Sequence, residues 1–287
     1  MVLVNVVLTK VMKHIKGCGL GLRAEFLDDI HFDTKSFSPD WWEVTPENWI
    51  HMPIWYREKF EQIAQNTPFV AHGVSLSLGS NKKPKKKYLQ ELKTFLDTYH
   101  IDYYSEHISY SSYDNIQAHE LLPVPLTPKM SDKMSDNIKY VEDFLGRRLS
   151  IENATYYHSE PSSLSESDFI NELLYKSGAK LLLDLNNVYV NSINHSYDAK
   201  KFIKSLDLDK VSYMHIAGHY FDEEVQMLID SHGTKVNDDT WELLRYTLNK
   251  IDVPPMIERD NNVPTLDIMK KEYKKMKKIY DKRASNG

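Results

Sequence analysis

Residues 165–184 read SESDFINELLYKSGAKLLLD and combine an amphipathic helix with a short apolar run. Ser165 followed by Asp168 three positions later is typical of a helix N-terminus, and Gly178 is typical of a helix end. The intervening apolar residues share one helical face: Phe169, Ile170, Leu173 and Leu174. The run 180–184 that follows is short and apolar, and it ends in a carboxylate. This stretch therefore predicts one helix–strand unit.

The same unit recurs along the chain. Eight short apolar runs predict strands, at 19–23, 41–44, 68–72, 101–109, 149–152, 180–184, 211–215 and 254–258. Helical spacing connects several of them, as in residues 89–96, 138–145 and 241–248. Eightfold strand–helix alternation predicts an α/β fold, a single-domain (β/α)8 TIM-like barrel. We assign residues 19–287 to this barrel and residues 1–18 to an N-terminal extension.

Composition supports one sizeable core and excludes several classes of protein. The chain has 287 residues, of which 41% are hydrophobic, and its formal net charge is −5. This acidic balance offers no global field for binding a nucleic-acid backbone. Cys18 is the only cysteine, which excludes a disulfide framework and a cysteine-type zinc site. We expect Cys18 to be a small core residue rather than a nucleophile.

Two kinds of segment bear on location and partners. The apolar stretch 2–8 is too short to span a bilayer and lacks the features of a signal peptide, so we expect a cytoplasmic protein without membrane contact. The basic stretches 82–87 and 270–278 alternate with apolar helical positions. We interpret both as solvated helix faces, not as a nucleic-acid surface.

The predicted strands share a chemical feature at their C-terminal ends. Most of them finish in, or next to, a side chain that can bind a metal: Glu43, His72, His107, Glu152, Asp184, His215 and Glu258. In a barrel these ends surround one pocket. Burying so many ionisable groups together is costly unless a cation compensates them. The pattern therefore predicts a metal site at the barrel mouth.

Loops after the strands add further candidates. Asp230 and His232 stand two residues apart, so an extended loop presents both to one side, with Gly233 allowing a tight turn after them. The segment 215–219 adds His219, with small residues that permit close backbone approach. The complete set offers only nitrogen and oxygen ligand atoms, and it contains more ligands than one metal ion commonly needs. Two or three ions are expected, with iron or manganese favoured and zinc possible.

The proline-rich segment 119–126 follows the fourth predicted strand and begins at His119. It is expected to form a rigid loop that either contacts substrate or packs over the barrel mouth. The sequence does not separate these two roles.

The assembled segments resemble the multinuclear non-heme iron-dependent oxidase family, which includes the oxidase of methanobactin biosynthesis. The resemblance runs from about Gly19 to Pro264. It rests on segments 19–23, 43–49, 72–79, 105–107, 119–125, 151–153, 181–190, 215–219, 230–233 and 257–260. No single segment is specific, but the combination is.

The resemblance implies a xylose-isomerase-like barrel that holds two or three iron ions in mixed Fe(II)/Fe(III) states and uses molecular oxygen. The substrate implied is a cysteine-containing, ribosomally made precursor peptide, usually presented by a small partner protein. The implied metal ligands are His72, His107, Glu152, Asp184, His215, Asp230, His232 and Glu258. Asn153, Asn187 and His219 are implied as ligands or supporting residues, and Glu106 as a further supporting candidate.

Two other functions fit the same residues. A divalent-metal barrel enzyme of the sugar isomerase or apurinic endonuclease kind also collects His, Asp and Glu at strand ends. A non-catalytic metal-binding protein would fill every coordination position with its own side chains. Redox-inactive metal and activity without oxygen would favour the first alternative.

Overall fold

The computed structural model describes residues 15–31, 37–113, 116–158 and 162–283, with side chains left out at 112–120. Twelve strands lie in these ranges: β1 Gly19–Gly21, β2 Trp41–Val44, β3 Phe69–Gly73, β4 Tyr104–His107, β5 Tyr110–Tyr113, β6 Ile116–Leu122, β7 Leu149–Glu152, β8 Lys180–Asp184, β9 Val211–Ile216, β10 Tyr220–Asp222, β11 Met227–Ile229 and β12 Pro255–Ile257. The helices are α1 Pro46–Trp49, α2 Ile54–Asn66, α3 Lys86–Thr98, α4 Pro128–Leu145, α5 Glu166–Ser177, α6 Leu185–Asn194, α7 Ala199–Ser205, α8 Asp238–Leu248 and α9 Leu266–Arg283. Short 3-10 turns cover Ala24–Phe26 and Leu208–Lys210.

Eight of the strands close into a parallel barrel. Their order around the barrel is β1-β12-β9-β8-β7-β4-β3-β2, and each falls within or beside one of the eight predicted runs. The predicted (β/α)8 TIM-like fold is therefore confirmed. Parallel strands place their C-terminal ends on one rim, which gathers the polar strand ends there.

The unit formed by α5 and β8 shows how local chemistry sets the boundaries. Ser165 accepts a hydrogen bond from the backbone nitrogen of Asp168 at 3.1 Å, which satisfies a free N–H group of the first turn. Gly178 ends the helix in the left-handed conformation, with φ at +76°. Strand β8 then runs directly to Asp184 at the rim.

The barrel is packed on both sides of its strands. Six buried side chains form a cluster of their own inside it: Trp41, Val70, Tyr103, Leu182, Tyr213 and Met256. Alternating residues such as Trp42, Leu181 and Ile257 belong instead to the main core, which includes apolar faces of the helices. The interior is thus filled with side chains, and the polar residues lie at one end of it.

Register brings the polar rim residues side by side. His107 pairs with Glu152 across β4 and β7, and Asp184 pairs with His215 across β8 and β9. The backbone nitrogen of Glu258 donates to Ile216 at 3.0 Å, so Glu258 continues the rim beyond β12. The ladder thereby fixes the relative height of these side chains.

Two antiparallel hairpins interrupt the predicted alternation. Strands β5 and β6 pair after β4, and β10 and β11 pair after β9. The prediction of a rigid loop from His119 is wrong for its first part, because the backbone there belongs to β6 until Leu122. Pairing with β5, whose register shifts between Tyr110 and Ser112, supplies backbone hydrogen bonds that the proline-rich composition did not reveal. The His119 side chain lies outside the described ones.

Three smaller expectations can be compared with the structure. Cys18 is buried, and burial raises the pKa of its thiol to about 12, as expected for a core residue. Helix α3 begins only at Lys86, so Lys82–Lys85 precede the helix face to which they were assigned. Among the described residues, no helix is long and apolar enough to cross a membrane.

Candidate metal centre

Glu152 at the end of β7 lies between two histidines. Its Oε2 is 3.0 Å from Nε2 of His72 and 3.0 Å from Nε2 of His107. All three side chains are buried, and the two imidazole rings lie 4.5 Å apart between their centroids. Neighbouring strand ends therefore direct two nitrogens and one oxygen to the same point.

His215 at the end of β9 occupies the middle of the rim. Its Nδ1 lies 3.0 Å from Oε2 of Glu258, 3.6 Å from Oε1 of Glu152 and 3.8 Å from Oδ2 of Asp184. The side chain is completely buried. One imidazole nitrogen thus faces three carboxylates from three other strand ends.

His232 extends the cluster towards the opposite side of the mouth. Its Nδ1 lies 3.0 Å from Oε2 of Glu258, and its Nε2 lies 2.8 Å from Oδ1 of Asp230. Asp260 approaches the same ring, with its Oδ2 3.4 Å from Nδ1. Asp260 was not among the predicted ligands. Its place two residues after Glu258, in an extended segment, is the sequence signal that could have included it.

Three overlapping groups in this cluster have the geometry to hold metal ions. They are His72, Glu152 and His215; Glu152, Asp184, His215 and Glu258; and His232, Glu258 and Asp260. In each group the candidate ligand atoms lie within 4.8 Å of one another. Glu152, His215 and Glu258 each belong to two groups. Sharing of this kind suits carboxylates that bridge neighbouring ions.

Several of these atoms have no hydrogen-bond partner among the described residues. They include Oε2 of Glu152, Oδ2 of Asp184, Nδ1 of His215 and Nε2 of His232. Although some lie within 3 Å of an opposite charge, the contacts lack the alignment of a hydrogen bond. Buried polar atoms are rarely left this way. Their lone pairs fit metal ligation, and the mixture of imidazole and carboxylate suits iron, manganese or zinc.

The electrostatics of the metal-free cluster are strongly perturbed. Burial alone would lower the pKa of His72, but Glu152 outweighs it and raises the value to about 9. Burial raises the pKa of Asp184 to about 7, although His232 and His215 oppose the shift. The pKa of Glu258 is held well below its usual range by His215 and His232, against the effect of burial. Protons compensate the buried charges here, and a cation can replace them.

A buried hydrogen-bond chain connects the outer nitrogens of two of the histidines. Nδ1 of His72 lies 2.8 Å from Oγ of Ser105, which lies 2.7 Å from the hydroxyl of Tyr213. Tyr213 donates to Oε2 of Glu43 at 2.8 Å, and the same oxygen lies 3.0 Å from Nε2 of His215. Glu43 was predicted among the strand-end side chains that can bind a metal. It instead contacts the nitrogen of His215 that points away from the cluster.

This chain has a definite donor direction. The Glu43 carboxylate can only accept, so it takes hydrogens from Tyr213 and from Nε2 of His215. Ser105 can then donate to Tyr213 at 2.7 Å, in preference to the carbonyl of Ala71 at 3.3 Å, and accept from Nδ1 of His72. Both imidazoles consequently keep a hydrogen on the outer nitrogen, so loss of the second proton would leave Nε2 of His72 and Nδ1 of His215 free to ligate.

The neutral side chains predicted as ligands or supports hold the backbone around Asp184. Asn153 binds both backbone groups of Asp184, at 3.0 and 2.9 Å. Asn187 donates to the carbonyl of Asn153, while its own backbone nitrogen donates to Oδ1 of Asp184. Their amides are therefore engaged in locking the turn from β8 into α6.

Glu106 and His219 also have specific partners. The Glu106 carboxylate accepts backbone N–H groups from Leu76 at 2.6 Å and from His107 at 3.0 Å. Nδ1 of His219 lies 2.8 Å from Oδ1 of Asn186, whose amide nitrogen donates to Oδ1 of Asp230 at 2.7 Å. Glu106 thus positions the backbone of a ligand candidate, and His219 reaches Asp230 through one amide.

The loop that carries Asp230 and His232 has unusual backbone geometry. His232 itself adopts φ of +46°, whereas Gly233 does not have a positive φ, so the tight turn expected at the glycine lies one residue earlier. Left-handed backbone is strained for a histidine and is often found at functional sites. Gly233 instead permits close packing, since a Cβ atom there would lie 3.1 Å from Cβ of Asn261.

An open cleft of about 1220 Å³ leads to the cluster. His72, His107, Glu152, His232 and Glu258 line it, whereas Asp184 and His215 are not part of its lining. Exposed apolar side chains border the opening, among them Tyr56 and Tyr157. Some candidate ligands are thus reachable by a molecule much larger than water.

The eight residues predicted as metal ligands therefore meet in one connected cluster. Its members come from six barrel strands or the segments directly after them, and from the loop after β11. Sequence reasoning omitted Asp260, and it did not reveal the hydrogen-bonded roles of Ser105 and Tyr213, because an ordinary Ser and Tyr within a strand give no signal.

Solved structures similar to this chain share its fold. D-psicose 3-epimerase from Clostridium cellulolyticum matches with a TM-score of 0.57 and 10% identity, covering 94% of this chain and 99% of the other. Endonuclease IV from Thermus thermophilus matches with a TM-score of 0.53 and 12% identity, covering 95% and 100%. At such low identity the likeness confirms the xylose-isomerase-like barrel and nothing further.

Relatives at higher identity identify the family. A UPF0276 protein of Acinetobacter baylyi is 37% identical over 278 residues, covering 96% of this chain and 95% of the relative. One from Shewanella oneidensis is 40% identical over 247 residues, covering 86% and 88%. The family model for the RiPP precursor modification enzymes MbnB/TglH/ChrH matches residues 17–281, where RiPP denotes a ribosomally made, post-translationally modified peptide. The chain therefore belongs to the MbnB/TglH/ChrH family of RiPP precursor modification enzymes.

Proposed function

We propose that this protein is an iron- and oxygen-dependent oxidase that modifies cysteine in a ribosomally made precursor peptide. The observation that carries the proposal is the set of three overlapping ligand groups that share Glu152, His215 and Glu258. Membership of a peptide-modifying family supports the substrate class. The imidazole and carboxylate ligands suit iron in more than one oxidation state.

In this proposal the eight predicted residues hold two or three iron ions, and Asp260 joins them. Asn153, Asn187, His219 and Glu106 support the ligands through the contacts described above. Iron would supply the redox chemistry, with molecular oxygen as the oxidant and a substrate thiol as the group that it engages. The chain of Ser105, Tyr213 and Glu43 keeps hydrogens away from the ligating nitrogens.

The cleft supports a peptide as the substrate. Its volume of about 1220 Å³ exceeds what a small sugar needs, and its rim combines apolar and polar side chains. A peptide segment can therefore place one side chain over the cluster while its neighbours contact the walls. This feature favours the peptide over the sugar substrates of the epimerases that share the fold.

A small presenting protein remains part of the proposal. Helix α2 begins beside the cleft with two strongly exposed apolar side chains, Ile54 at 72% and Trp55 at 69%. Exposed apolar groups of this kind are common at protein interfaces. They support the view that another chain covers this side of the mouth, within the cytoplasmic setting expected from the sequence.

Metal analysis of anaerobically purified protein tests the proposal. We expect more than one iron per chain, and we expect His72→Ala and Glu152→Ala to lose iron while their far-ultraviolet circular dichroism stays unchanged. His51→Ala is the matched control, because His51 is exposed and lies on the segment before α2. It should keep its iron.

A second measurement addresses the reaction itself. Iron-loaded protein should consume oxygen when short cysteine-containing peptides encoded beside its gene are added, and mass spectrometry should show an oxidised peptide. Stoichiometric zinc without iron, together with no oxygen uptake on any of these peptides, would contradict the proposal. Activity on sugars or on abasic DNA without oxygen would favour the divalent-metal alternative.

A further inference from the structure

A second cavity adjoins the cleft and has a different character. It encloses about 390 Å³, and much of its wall is apolar. The apolar side chains that line it are Ile108, Pro123, Val124, Leu126, Leu164 and Ile170. None of them belongs to the candidate metal cluster.

One acid faces this apolar space. Glu166 is the first residue of α5. One oxygen of its carboxyl group has a hydrogen bond from the Tyr156 hydroxyl, whereas its Oε2 atom is buried without a hydrogen-bond partner among the described residues. The Tyr197 hydroxyl nearby is also buried without a partner. Burial raises the pKa of Glu166 to about 8 although the hydrogen bond from Tyr156 opposes the shift, as is typical of a carboxyl group that lacks a compensating cation.

Leaving the Oε2 atom without a hydrogen-bond donor costs free energy that a suitable ligand can recover. A cationic ligand that brings a hydrogen-bond donor to Oε2 would pair with the ionised carboxylate, and its positive charge would lower the pKa of Glu166 and so favour that ionised form. The apolar walls require that the rest of this ligand be hydrocarbon. Because Oε2 is a single free acceptor, a compact ammonium group fits it better than a forked guanidinium.

The cavity and the cleft share part of their lining. Pro123, Ala154, Thr155 and Tyr156 line both, and the last three follow Glu152 closely in sequence. A peptide lying in the cleft can therefore extend one side chain into the cavity while another side chain reaches the candidate metal ligands.

We propose that this cavity binds a lysine side chain of the substrate peptide, with its aliphatic stem on the apolar walls and its ammonium group at Glu166. The inference rests on the proposed function in one respect, because it takes the lysine to lie on the same peptide as the modified cysteine. It makes Glu166 a specificity residue outside the metal centre.

Binding of two matched probes to metal-free protein tests this site. N-acetyl-lysine N-methylamide carries the ammonium group, and N-acetyl-norleucine N-methylamide has the same aliphatic stem without it. At pH 9, where the carboxyl group of Glu166 is ionised and the lysine ammonium group is still charged, we expect the lysine probe to bind at least about tenfold more tightly, as measured by methyl NMR titration. The shifted resonances should be those of Ile108, Leu164 and Ile170.

Three variants assign the interaction. Glu166→Gln keeps the shape but removes the charge, so the preference for the lysine probe should fall by about tenfold or more. Glu172→Gln makes the same change on the same helix outside the cavity lining and should leave binding unchanged. Leu164→Trp should exclude both probes by filling the space.

Three results would overturn the inference: equal binding of the two probes, an unchanged preference in Glu166→Gln, or shifts confined to residues of the cleft. None of these depends on iron or on turnover. Loss of the oxidase assignment in the metal analysis, with the lysine preference intact, would therefore overturn the proposed reaction and leave the cavity site standing.

Discussion

Glu43 shows that the role of a carboxylate at the barrel rim depends on which neighbouring atoms it contacts. It lies next to the end of β2, where a metal ligand was expected, yet its Oε2 accepts from Tyr213 and His215 behind the cluster. A carboxylate that holds the far nitrogen of a ligating histidine fixes its tautomer and raises its basicity. Glu43 therefore contributes through His215, and Tyr213 connects it to Ser105 and His72.

Tyr213→Phe tests this arrangement. The substitution removes the hydroxyl that joins Ser105 to Glu43, so we expect the affinity for ferrous iron to fall by about 10-fold to 100-fold with the fold unchanged. Anaerobic competition with a chelator measures the affinity. Tyr103→Phe is the control, because Tyr103 belongs to the same interior cluster as Tyr213 but not to this chain. Equal losses in the two variants would contradict the positioning role.

Glu166 gives a prediction about stability and pH. Its folded-state pKa of about 8 lies above the ordinary value of 4.5, so the folded state holds the proton more tightly and the protein loses stability as pH rises between these values. Glu166→Gln cannot ionise. The variant should match the wild type at pH 5 and exceed it by more than about 1 kcal/mol at pH 9, as one unit of pKa corresponds to about 1.4 kcal/mol.

Urea unfolding at the two pH values measures this difference. The same experiment on Glu172→Gln, whose carboxylate pairs with Lys176 on the same helix, should show no gain at pH 9. A constant difference between Glu166→Gln and the wild type across the pH range would contradict the explanation.

At the scale of elements, helix ends set where each strand begins. Helices α4 and α5 both end in a glycine of left-handed conformation, Gly146 at φ +66° and Gly178 at φ +76°. Each glycine accommodates the reversal that leads into a barrel strand, β7 or β8, and these strands deliver Glu152 and Asp184 to the rim. The glycine caps thus help to set where β7 and β8 begin, and so help to position Glu152 and Asp184 at the rim.

Gly146→Ala should destabilise the protein by about 1 kcal/mol, because alanine is strained at positive φ. The space around this position is empty within 4 Å, so steric contact does not add to the effect. Gly146→Asn should lose less, since asparagine tolerates the left-handed region better. Urea melts of the two variants give the comparison, and an equal loss in both would point to another cause.

At the scale of the whole molecule, closure of the barrel buries several carboxylates close together at one mouth. Burying these negative charges costs free energy unless positive charge compensates them. Glu152, Asp184 and Glu258 are all buried within one mouth, and protons on neighbouring histidines compensate them in the metal-free state. Apart from Tyr213, the apolar interior cluster takes no part in the hydrogen bonds of this mouth, and the main core packs the barrel against the helices. The barrel should therefore fold without metal but gain stability from it.

Iron removal tests this coupling. Metal-free protein should keep its far-ultraviolet circular dichroism but melt at a lower temperature than iron-loaded protein. A ligand at one hundred times its dissociation constant adds about 2.7 kcal/mol to the folded state. Glu152→Ala should abolish the iron-dependent shift, whereas Glu172→Ala on the outer helix should retain it. An identical melting temperature with and without iron in the wild type would exclude a bound ion in the mouth.

The sequence by itself determined the barrel and most of the side chains at its rim, because hydrophobic periodicity and the chemistry of strand ends are local properties. The helix α5 with its caps Ser165 and Gly178, the eight strands and the ligand types all follow from neighbouring residues. Only the tertiary structure decided which way each side chain points. Asp260, the chain from Ser105 to Glu43, and the cavity at Glu166 depend on contacts between segments far apart, which no local pattern encodes.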